Sequence, residues 1–434
     1  MSQSGSESAL ESVESRATDH MSHQRWVICA LLFLATVIAY VDRGVIAYLK
    51  NTLESVIPGL NDVKYGVITA SFTAAYAIGM VVAGGLTDKL GTRKAFAIAI
   101  SMWSVAAMLP GAAFSVITFG IAMFLLGIGE AANFPACIKT VAEWFPKRER
   151  TLATGIFNSG ANVGNIVVPL VVPFLVAMVS WRGAFVMTGA LGIVWLGFWL
   201  VYYRRPEEHR GVSKAELKLI LSDPGEQVKS VPWSHVLPCK ETWAFAIGKF
   251  LTDPIWWFYL FWIPGYLQTT FHLNLTQSRT PVMLAYAISI IGSVGGGWVF
   301  EALIDRGKSP NVARKTTMLM CAVLIVPIFA TPFVHQLWVV VALLGMATAG
   351  HQGWSANLFT LPSDMFPKSA VASVTGIGGM AGAGGGVLLQ LGTGLIVYWT
   401  HSYVSLFVLA CLAYPLAFIV IHSISPKLAP AHMK

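Results

Sequence analysis

The chain has 434 residues, of which 55% are hydrophobic and only 12% are charged, and its mean hydropathy is +0.65. Soluble domains carry about twice that share of charged residues, so the composition indicates a polytopic membrane protein. The net charge of +8 does not indicate nucleic-acid binding, because the lysines and arginines lie in short loops between apolar runs.

Motifs for catalysis or metal binding are absent from the sequence, which contains no HExxH, no CxxC and no GxSxG. The extramembrane segments are a short tail and one linker, and neither is long enough for the output domain that a signalling receptor needs. The sequence therefore predicts neither an enzyme nor a receptor, and it predicts no metal.

Twelve apolar runs are each long enough to span about 30 Å of hydrocarbon as a helix. The first run has no small-residue cleavage site, so we interpret it as a retained helix and not as a signal peptide. The sequence thus predicts an all-helical membrane protein with twelve transmembrane helices. The runs cover about residues 26–48, 66–86, 95–113, 117–140, 152–176, 183–203, 242–268, 281–303, 316–334, 337–359, 371–397 and 402–422.

Lysine and arginine are concentrated in every second loop between these runs. Because basic residues favour cytoplasmic loops, the pattern predicts a multi-pass protein of the plasma (inner) membrane with both termini in the cytoplasm. The basic loops contain Lys89, Arg93 and Lys94; Lys147, Arg148 and Arg150; Arg204 to Lys240; Arg306, Lys308, Arg314 and Lys315; and Lys368, whereas the other loops contain Lys50, Lys64, Arg182 and Arg279.

The longest polar loop joins the sixth run to the seventh and divides the chain into two halves. Residues 1–25 are rich in serine and glutamate and lack an apolar core, so they are predicted to be a disordered cytoplasmic tail. The predicted organisation is an N-terminal six-helix bundle at 26–203, a cytoplasmic linker at 204–241, a C-terminal six-helix bundle at 242–422 and a cytoplasmic tail at 423–434.

The two halves repeat one another. Phe-Pro-Lys at 145–147 recurs at 366–368, and the same spacing pairs Glu130 with His351. Internal repeats of this kind are typical of transporters built from pseudo-symmetric bundles. The sequence therefore predicts two related bundles, each with a titratable side chain at the corresponding depth of its fourth helix.

The loop between the second and third runs reads GGLTDKLGTRK, residues 84–94. Its glycines allow helix ends to approach closely, Asp88 can hold a cation or a helix N-terminus, and Arg93 can anchor the cytoplasmic face. With twelve runs and a central linker, this loop resembles the signature loop of the major facilitator superfamily. Such loops act there as conformational latches, so the resemblance implies gating roles for Asp88 and Arg93.

Seven further motifs lie along the chain after residue 25: YVDR at 40–43, AAY at 74–76, GIGEAANFP at 127–135, EWFPKRER at 143–150, FNSGANVG at 157–164, KFLTDPIWW at 249–257 and GHQ at 350–352. They resemble the anion:cation symporter family within that superfamily, close to bacterial hexuronate and galactonate transporters. The resemblance implies two bundles that rock around a midplane site, proton-coupled import of a sugar-acid anion, no cofactor besides the coupling proton, and a monomer.

Three charged residues are candidates for coupling and substrate binding. A charge at membrane depth costs at least about 2.5 kcal/mol, so Glu130 requires a compensating role. Burial favours its protonated form, which suits a proton carrier; the alternative is a permanently protonated acid bonded to a neighbouring helix. The resemblance implies that Arg43 binds a substrate carboxylate through two parallel hydrogen bonds and that Asp42 is a second proton site. The alternative is a charge pair at the end of the first helix.

Five more residues are candidates for binding the hydroxyls of the substrate. Tyr76 and Asn158 are polar at depths where an apolar residue would pack better, and they match family positions that face the cavity. Trp257 follows a proline expected to kink its helix, and its ring suits the C–H face of a sugar, although it could equally pack in the core. His351 and Gln352 are candidate hydrogen-bond donors to the substrate; for His351 the alternatives are a second titrating group and a satisfied core histidine.

Two features of the sequence leave the mechanism open. Lys249 and Asp253 share one helical face in the seventh run, where they either neutralise each other or contact substrate. Relatives commonly carry an arginine two helical turns before the glutamate of the fourth run, whereas this chain has Met123 there. This departure puts the details of proton coupling and the substrate in question.

The sequence thus predicts a secondary transporter that imports a hexuronate such as glucuronate or galacturonate by proton symport. Galactonate, glucarate and tartrate are alternative substrates, and a sodium-coupled carrier and an exporter are alternative mechanisms. The predicted partners are a small organic anion and the lipid bilayer, without nucleic acid.

Overall fold

The computed structural model describes residues 21–222 and 231–431. The predicted disordered tail therefore lies almost wholly outside the described residues, as do part of the linker and the last three residues. Within the described ranges the chain is helical and contains no strand. In the first half the helices are α1 Gln24–Tyr48, α2 Lys50–Val56, α3 Asp62–Leu90, α4 Thr92–Ala112, α5 Val116–Glu130, α6 Asn133–Trp144, α7 Lys147–Met178 and α8 Trp181–Tyr202.

The second half follows a linker whose described residues contain two short α-helices and a 3₁₀ helix, Pro206–Glu208. Its long helices correspond in order to those of the first half, and its third span ends in a 3₁₀ segment, Val326–Phe333. The linker helices are α9 Lys214–Ile220 and α10 Trp233–Val236, and the helices of the second half are α11 Lys240–Thr270, α12 Arg279–Asp305, α13 Pro310–Ile325, α14 Leu337–Leu358, α15 Leu361–Met365, α16 Lys368–Thr400 and α17 Val404–Ile424.

All twelve predicted runs are helical. Nine helical segments among the described residues are long and apolar enough to cross a membrane. The other three long helices, α3, α11 and α14, carry polar side chains that form hydrogen bonds between the two halves. The predicted fold, twelve helices in two six-helix bundles, is confirmed.

The internal repeat appears as equal backbone geometry. Pro146 precedes α7 with φ −62° and ψ 152°, and Pro367 precedes α16 with φ −63° and ψ 152°. Proline fixes φ near this value and has no N–H to leave unpaired at a helix start. The repeated Phe-Pro-Lys therefore ends one helix and begins the next at the same place in each half.

The two sides of the molecule differ in how the halves meet. We call the side where α1 begins and α3 ends the basic face, and the side where α1 ends and α3 begins the opposite face. At the opposite face Tyr48 donates to the carbonyl of Leu275 at 2.7 Å, and Tyr65 donates to the carbonyl of Phe261 at 2.8 Å. Hydrogen bonds between the halves thus close the opposite face.

Glycines allow the closest approach at this closure. A Cβ on Gly66 of α3 would lie 2.7 Å from the carbonyl oxygen of Gln390 and 3.0 Å from the Cα of Gly394, both on α16. Backbone atoms cannot retreat cheaply, so the two helices require glycine here. Thr69, one turn further along α3, donates to the side-chain oxygen of Gln390 at 3.0 Å.

Candidate functional site

A buried ion pair joins α1 to the end of α5. Nε and Nη2 of Arg43 donate to Oε2 of Glu130 at 3.1 and 2.7 Å. Only 4% of Arg43 and 1% of Glu130 are exposed. The other carboxylate oxygen of Glu130 has no hydrogen-bond partner within the described ranges. Pairing offsets the cost of burying two charges, but this pair leaves one acceptor free.

Glu130 lies where one membrane span is locally distorted. α5 ends at Glu130 and α6 begins at Asn133, but Ala131 and Ala132 between them keep right-handed helical backbone angles, so the two helices form one span. Gly129 lets α5 approach α4 closely, because a Cβ there would lie 2.7–2.9 Å from atoms of Trp103.

Four aromatic rings surround the guanidinium of Arg43. Its central carbon lies 4.6 Å from the ring of Tyr40, 5.1 Å from Phe72, 5.0 Å from Tyr76 and 5.2 Å from Trp257. The faces of such rings attract cations, most strongly when water is excluded. We call these four rings the aromatic box. Because Trp257 belongs to the second half and the other three to the first, the box spans the interface between the halves.

Asp42 lies next to Arg43 in sequence but does not pair with it. Asp42 is only 2% exposed, and neither of its carboxyl oxygens has a hydrogen-bond partner among the residues that the structure describes. Thr188 of α8 lies beside it, so Asp42 faces the interior of the first half and not the aromatic box. An ionised carboxylate without a partner is costly to bury, and a proton on this group removes that cost.

His351 is held within the second half. Its Nδ1 lies 2.6 Å from the hydroxyl of Tyr414, and its ring stacks on Trp256 with centroids 4.7 Å apart. The histidine is buried, with 4% exposed. These contacts are those of the satisfied core histidine that was the alternative to a substrate donor, and they leave the second ring nitrogen for other contacts.

Gln352 crosses the interface at mid-depth. Its side-chain N–H donates to the side-chain oxygen of Asn162 on α7 at 2.8 Å. Asn158 lies one turn nearer the basic face on α7 and is exposed. Gln352 therefore reaches α7 at Asn162 and not at Asn158; the motif at 157–164 contains Asn162, but this residue was not singled out from the sequence.

Lys249 and Asp253 form the pair that their spacing allows. The distance from Nζ of Lys249 to Oδ2 of Asp253 is 2.7 Å. Nζ also lies 3.8 Å from the ring centre of Phe359. Mutual neutralisation on α11 is thus present.

The loop between α3 and α4 ties the first half together. Nη2 of Arg93 donates to the carbonyl of Leu200 at 2.5 Å, and the indole N–H of Trp199 donates to the carbonyl of Arg93 at 3.2 Å. Asp88 lies in α3, but its side chain is outside the described part of the structure. The gating roles of Arg93 and Asp88 stay predictions.

Two members of the aromatic box were not singled out from the sequence. Tyr40 lies three residues before Arg43, and Phe72 lies four residues before Tyr76. Helical spacing of three or four places each pair on one face, so the signal was present. Phe72 was missed because an apolar residue in an apolar run does not stand out.

Metal ligands do not cluster in the described residues, since no group of three or more His, Cys, Asp or Glu side chains there could hold an ion. The site therefore consists of one buried ion pair, an aromatic box and an unpartnered carboxyl group.

Comparisons with known proteins agree with this architecture. Residues 32–390 match the family model of the Major Facilitator Superfamily. A bacterial homologue of the human lysosomal transporter Spinster, in an inward-facing and occupied conformation, superposes with a TM-score of 0.71 over 93% of this chain and 97% of that chain, at 16% identity. A D-xylose-proton symporter superposes with a TM-score of 0.70 over 93% of this chain and 98% of that chain, at 15% identity.

Relatives in sequence carry sugar acids. The hexuronate transporter of Escherichia coli K12 is 30% identical over 369 residues, which cover 82% of this chain and 84% of that protein. The probable galactarate/D-glucarate transporter GudP of the same organism is 29% identical over 91% of each chain. The D-galactonate transporter of Escherichia coli O6:H1 is 26% identical over 86% of this chain and 89% of that protein.

Proposed function

The chain belongs to the Major Facilitator Superfamily, and from this premise we propose that it imports a sugar-acid anion, a hexuronate, by proton symport. It is a membrane transporter and not an enzyme, and its relatives support an organic acid anion as the substrate class. The observation that carries the finer proposal is the Arg43–Glu130 pair inside the aromatic box.

Arg43 is the carboxylate-binding group in this proposal. Its planar guanidinium offers two parallel donors, which suit a carboxylate. In the structure those donors are occupied by Glu130. A substrate carboxylate must therefore displace Glu130 from Arg43 or share the guanidinium with it.

Charge balance couples that displacement to a proton. The Arg43–Glu130 pair is neutral, so an added anion alone leaves a buried negative charge, which is strongly unfavourable. A proton taken by Glu130 together with the anion keeps the site neutral. Symport then follows from the cost of burying net charge, and Met123 supplies no second cation on α5 to remove that requirement.

Asp42 is the second proton site of the proposal. It lies beside Arg43 in sequence but has no hydrogen-bond partner. An anion moving inward against a negative-inside potential loses about 2.3 kcal/mol per 100 mV, and each proton that moves with it returns that amount. One proton makes uptake electroneutral, and a second makes it driven by the potential.

The remaining polar residues contact the body of the substrate. Tyr76 and Trp257 pack on its C–H face, and Asn158, His351 and Gln352 donate to its hydroxyls. The aromatic box holds one guanidinium, and the nearby cation Lys249 is neutralised by Asp253. One available cation favours a monocarboxylate such as glucuronate or galacturonate over the dicarboxylates glucarate and tartrate; galactonate, also a monocarboxylate, is the nearest alternative.

Alternating access requires the two faces to open in turn. Direct hydrogen bonds close the opposite face, and Asn158 is exposed on the other side of mid-depth. We assign the basic face to the cytoplasm, so that both termini are cytoplasmic in the plasma (inner) membrane, the structure is closed to the outside, and Asp88 and Arg93 act in gating. The protein works as a monomer, with the proton and not sodium as the coupling ion.

The test is uptake of radiolabelled glucuronate into proteoliposomes under an inward proton gradient. Wild-type protein is expected to accumulate glucuronate above equilibrium. Glu130→Gln is expected to lose accumulation but to retain counterflow exchange, because the site stays neutral without a titrating proton. The matched control is Glu301→Gln, which removes an exposed carboxylate from α12. This variant is expected to accumulate glucuronate as wild type does.

Three results contradict parts of this proposal. Accumulation by Glu130→Gln equal to that of wild type removes the proton role from Glu130. Accumulation driven by a sodium gradient but not by a proton gradient shows that sodium, and not the proton, is the coupling ion. Uptake of galactonate or glucarate without uptake of glucuronate leaves the proposed transport activity in place but shows that the substrate is not a hexuronate.

A further inference from the structure

The membrane-facing flank of the first half carries a long apolar groove between α4 and α8. Its volume is about 560 Å³, and its lining includes Ala97, Ile98, Val105 and Leu109 of α4 and Leu196 of α8. From Ile98 to Leu109 the helix rises about 16 Å, which is about half of a 30 Å hydrocarbon core. The groove therefore has the depth of one bilayer leaflet.

A second cavity continues the groove at the basic face. Its volume is about 480 Å³, and Ala97, Ile98 and Leu200 line both cavities. Its lining differs in character, because it contains four basic side chains where the helices leave the membrane. These are Arg93, Lys94, Arg204 and Arg205.

Two carboxylates also line the second cavity but do not cancel its charge. Glu143 accepts hydrogen bonds from the hydroxyls of Thr92 and Tyr203, each at 2.6 Å, and Glu208 is exposed. Four cations thus face two carboxylates, one of which is engaged by hydroxyl groups. The cavity is left with an excess of positive charge.

Hydrogen-bond donors are also available there. Nε of Arg93 is buried and has no hydrogen-bond partner in the described part of the chain. α4 begins at Thr92 without a side-chain cap, and its first N–H groups lack partners within the helix. Such donors at a helix N-terminus suit a phosphate group.

We propose that this continuous site binds one anionic glycerophospholipid, such as phosphatidylglycerol, from the leaflet at the basic face. The phosphate lies at the start of α4 among Arg93, Lys94, Arg204 and Arg205, and an acyl chain lies along the apolar groove. A lipid matches both parts, since the cationic cavity opens where headgroups lie and the groove opens into the hydrocarbon core. A soluble anion leaves the groove empty, and a peptide cannot leave backbone groups unpaired in hydrocarbon.

The bound lipid strengthens an existing contact. Arg93 already ties the start of α4 to the end of α8 through Leu200. A phosphate between Arg93 and Arg204 bridges the same two helix ends. Occupancy is therefore expected to raise the unfolding temperature of the protein.

Native mass spectrometry of the full-length chain tests the proposal, with phosphatidylglycerol and phosphatidylcholine titrated in detergent. Wild-type protein is expected to retain one phosphatidylglycerol in preference to phosphatidylcholine. The double variant Arg204→Gln/Arg205→Gln removes charge from the cavity, and Ala97→Phe fills the junction of groove and cavity without changing charge. Each is expected to weaken phosphatidylglycerol retention about tenfold, since the site requires both parts.

The matched control is Arg306→Gln/Lys308→Gln, which removes two exposed basic residues from the other half of the basic face. It is expected to retain phosphatidylglycerol as wild type does. Equal loss in this control, or no loss in Arg204→Gln/Arg205→Gln, shows that only general charge attraction operates and overturns the proposal. Full retention of phosphatidylglycerol by Ala97→Phe shows that the acyl chain does not lie in the groove, and this overturns the proposal of a continuous site. Should Ala97→Phe fail to fold, Ser101→Leu fills the same groove with a smaller side chain.

Discussion

Arg43 and Glu130 meet through a single carboxylate oxygen, because Nε and Nη2 of the arginine both donate to Oε2 of the glutamate. Oε1 of Glu130 is left buried and unpartnered. A pair held in this way is complete in charge but incomplete in hydrogen bonds. It therefore offers a proton site on the glutamate and an anion site on the arginine, which become available together.

Arg43→Lys keeps the positive charge but removes the planar fork and its contact with four rings. We expect the KM for the anion to rise at least about tenfold, because an ammonium cannot form two parallel hydrogen bonds to a carboxylate. The measurement is the concentration dependence of initial uptake into proteoliposomes. Arg182→Lys, at the opposite face and bonded to the carbonyls of Gly111 and Ala113, serves as control and is expected to leave KM unchanged. An unchanged KM in Arg43→Lys would mean that the anion binds elsewhere.

Asp42→Asn replaces an unpartnered buried carboxyl group with a neutral group of the same shape. Because neither oxygen of Asp42 accepts a hydrogen bond from a residue that the structure describes, we expect the unfolding temperature in detergent to stay the same or rise. Proton-driven accumulation is expected to fall while counterflow exchange persists. Thr188→Val, which removes the hydroxyl beside Asp42, is the companion variant and is expected to leave accumulation largely intact. A marked loss of thermal stability in Asp42→Asn would show that Asp42 carries a structural charge.

Hydropathy and charge in the loops were enough to predict the helices, because each span must bury its backbone groups within one helix. The repeat at Pro146 and Pro367 could also be predicted from the sequence, because proline fixes the local backbone angle φ. The ion-pair partner of Arg43 could not be predicted from the sequence. Its alternatives, Asp42 and Glu130, are both carboxylates, and only the arrangement of the helices in the first half, which brings Glu130 of α5 to Arg43 of α1, decides between them.

The aromatic box shows the same limit. Tyr76 and Trp257 were predicted as substrate contacts from their depth and motifs, but nothing in the sequence shows that Trp257 of the second half reaches Arg43 of the first. Contacts between halves depend on the conformation in which the two bundles meet. Spacing along one helix carries no information about that arrangement.

Gly66→Ala is expected to open the opposite face. Its Cβ would lie 2.7 Å from the carbonyl oxygen of Gln390, and overpacking of this kind costs about 1–3 kcal/mol. The closed population should fall by about fivefold or more. Spin labels at the exposed positions Ser55 and Thr276, one in each half, report the change as a longer inter-label distance.

The control for this prediction lies on the facing helix. Gly392 of α16 has no atom within 4 Å of an added Cβ, so Gly392→Ala is expected to leave the distance distribution as in wild type. If Gly66→Ala also leaves the distribution unchanged while the protein stays folded, the close approach of α3 and α16 does not determine closure.

One carboxylate of the linker forms several hydrogen bonds to the start of the first half. Glu216 of α9 accepts hydrogen bonds from the backbone N–H groups of Gln24 and Arg25 at 3.0 and 3.1 Å, from the guanidinium of Arg25 at 2.9 Å, and from the hydroxyl of Ser22. Burial raises the pKa of Glu216, but these hydrogen bonds together lower the pKa below its ordinary value.

Docking of the linker is therefore expected to weaken at low pH. A carboxylate whose pKa is lowered on folding stabilises the folded state above its ordinary pKa, and this contribution is lost as the pH falls through the lowered value. Hydrogen exchange of residues 206–220 should accordingly be slow at pH 7, relative to intrinsic rates, and should increase below about pH 4.5. Glu216→Gln should show the fast exchange already at pH 7, because the amide cannot accept as many hydrogen bonds and carries no charge for Arg25. Glu207→Gln, an exposed neighbour in the same linker, should exchange as wild type does at both pH values. Slow exchange in Glu216→Gln at pH 7 would show that apolar contacts, and not this carboxylate, hold the linker in place.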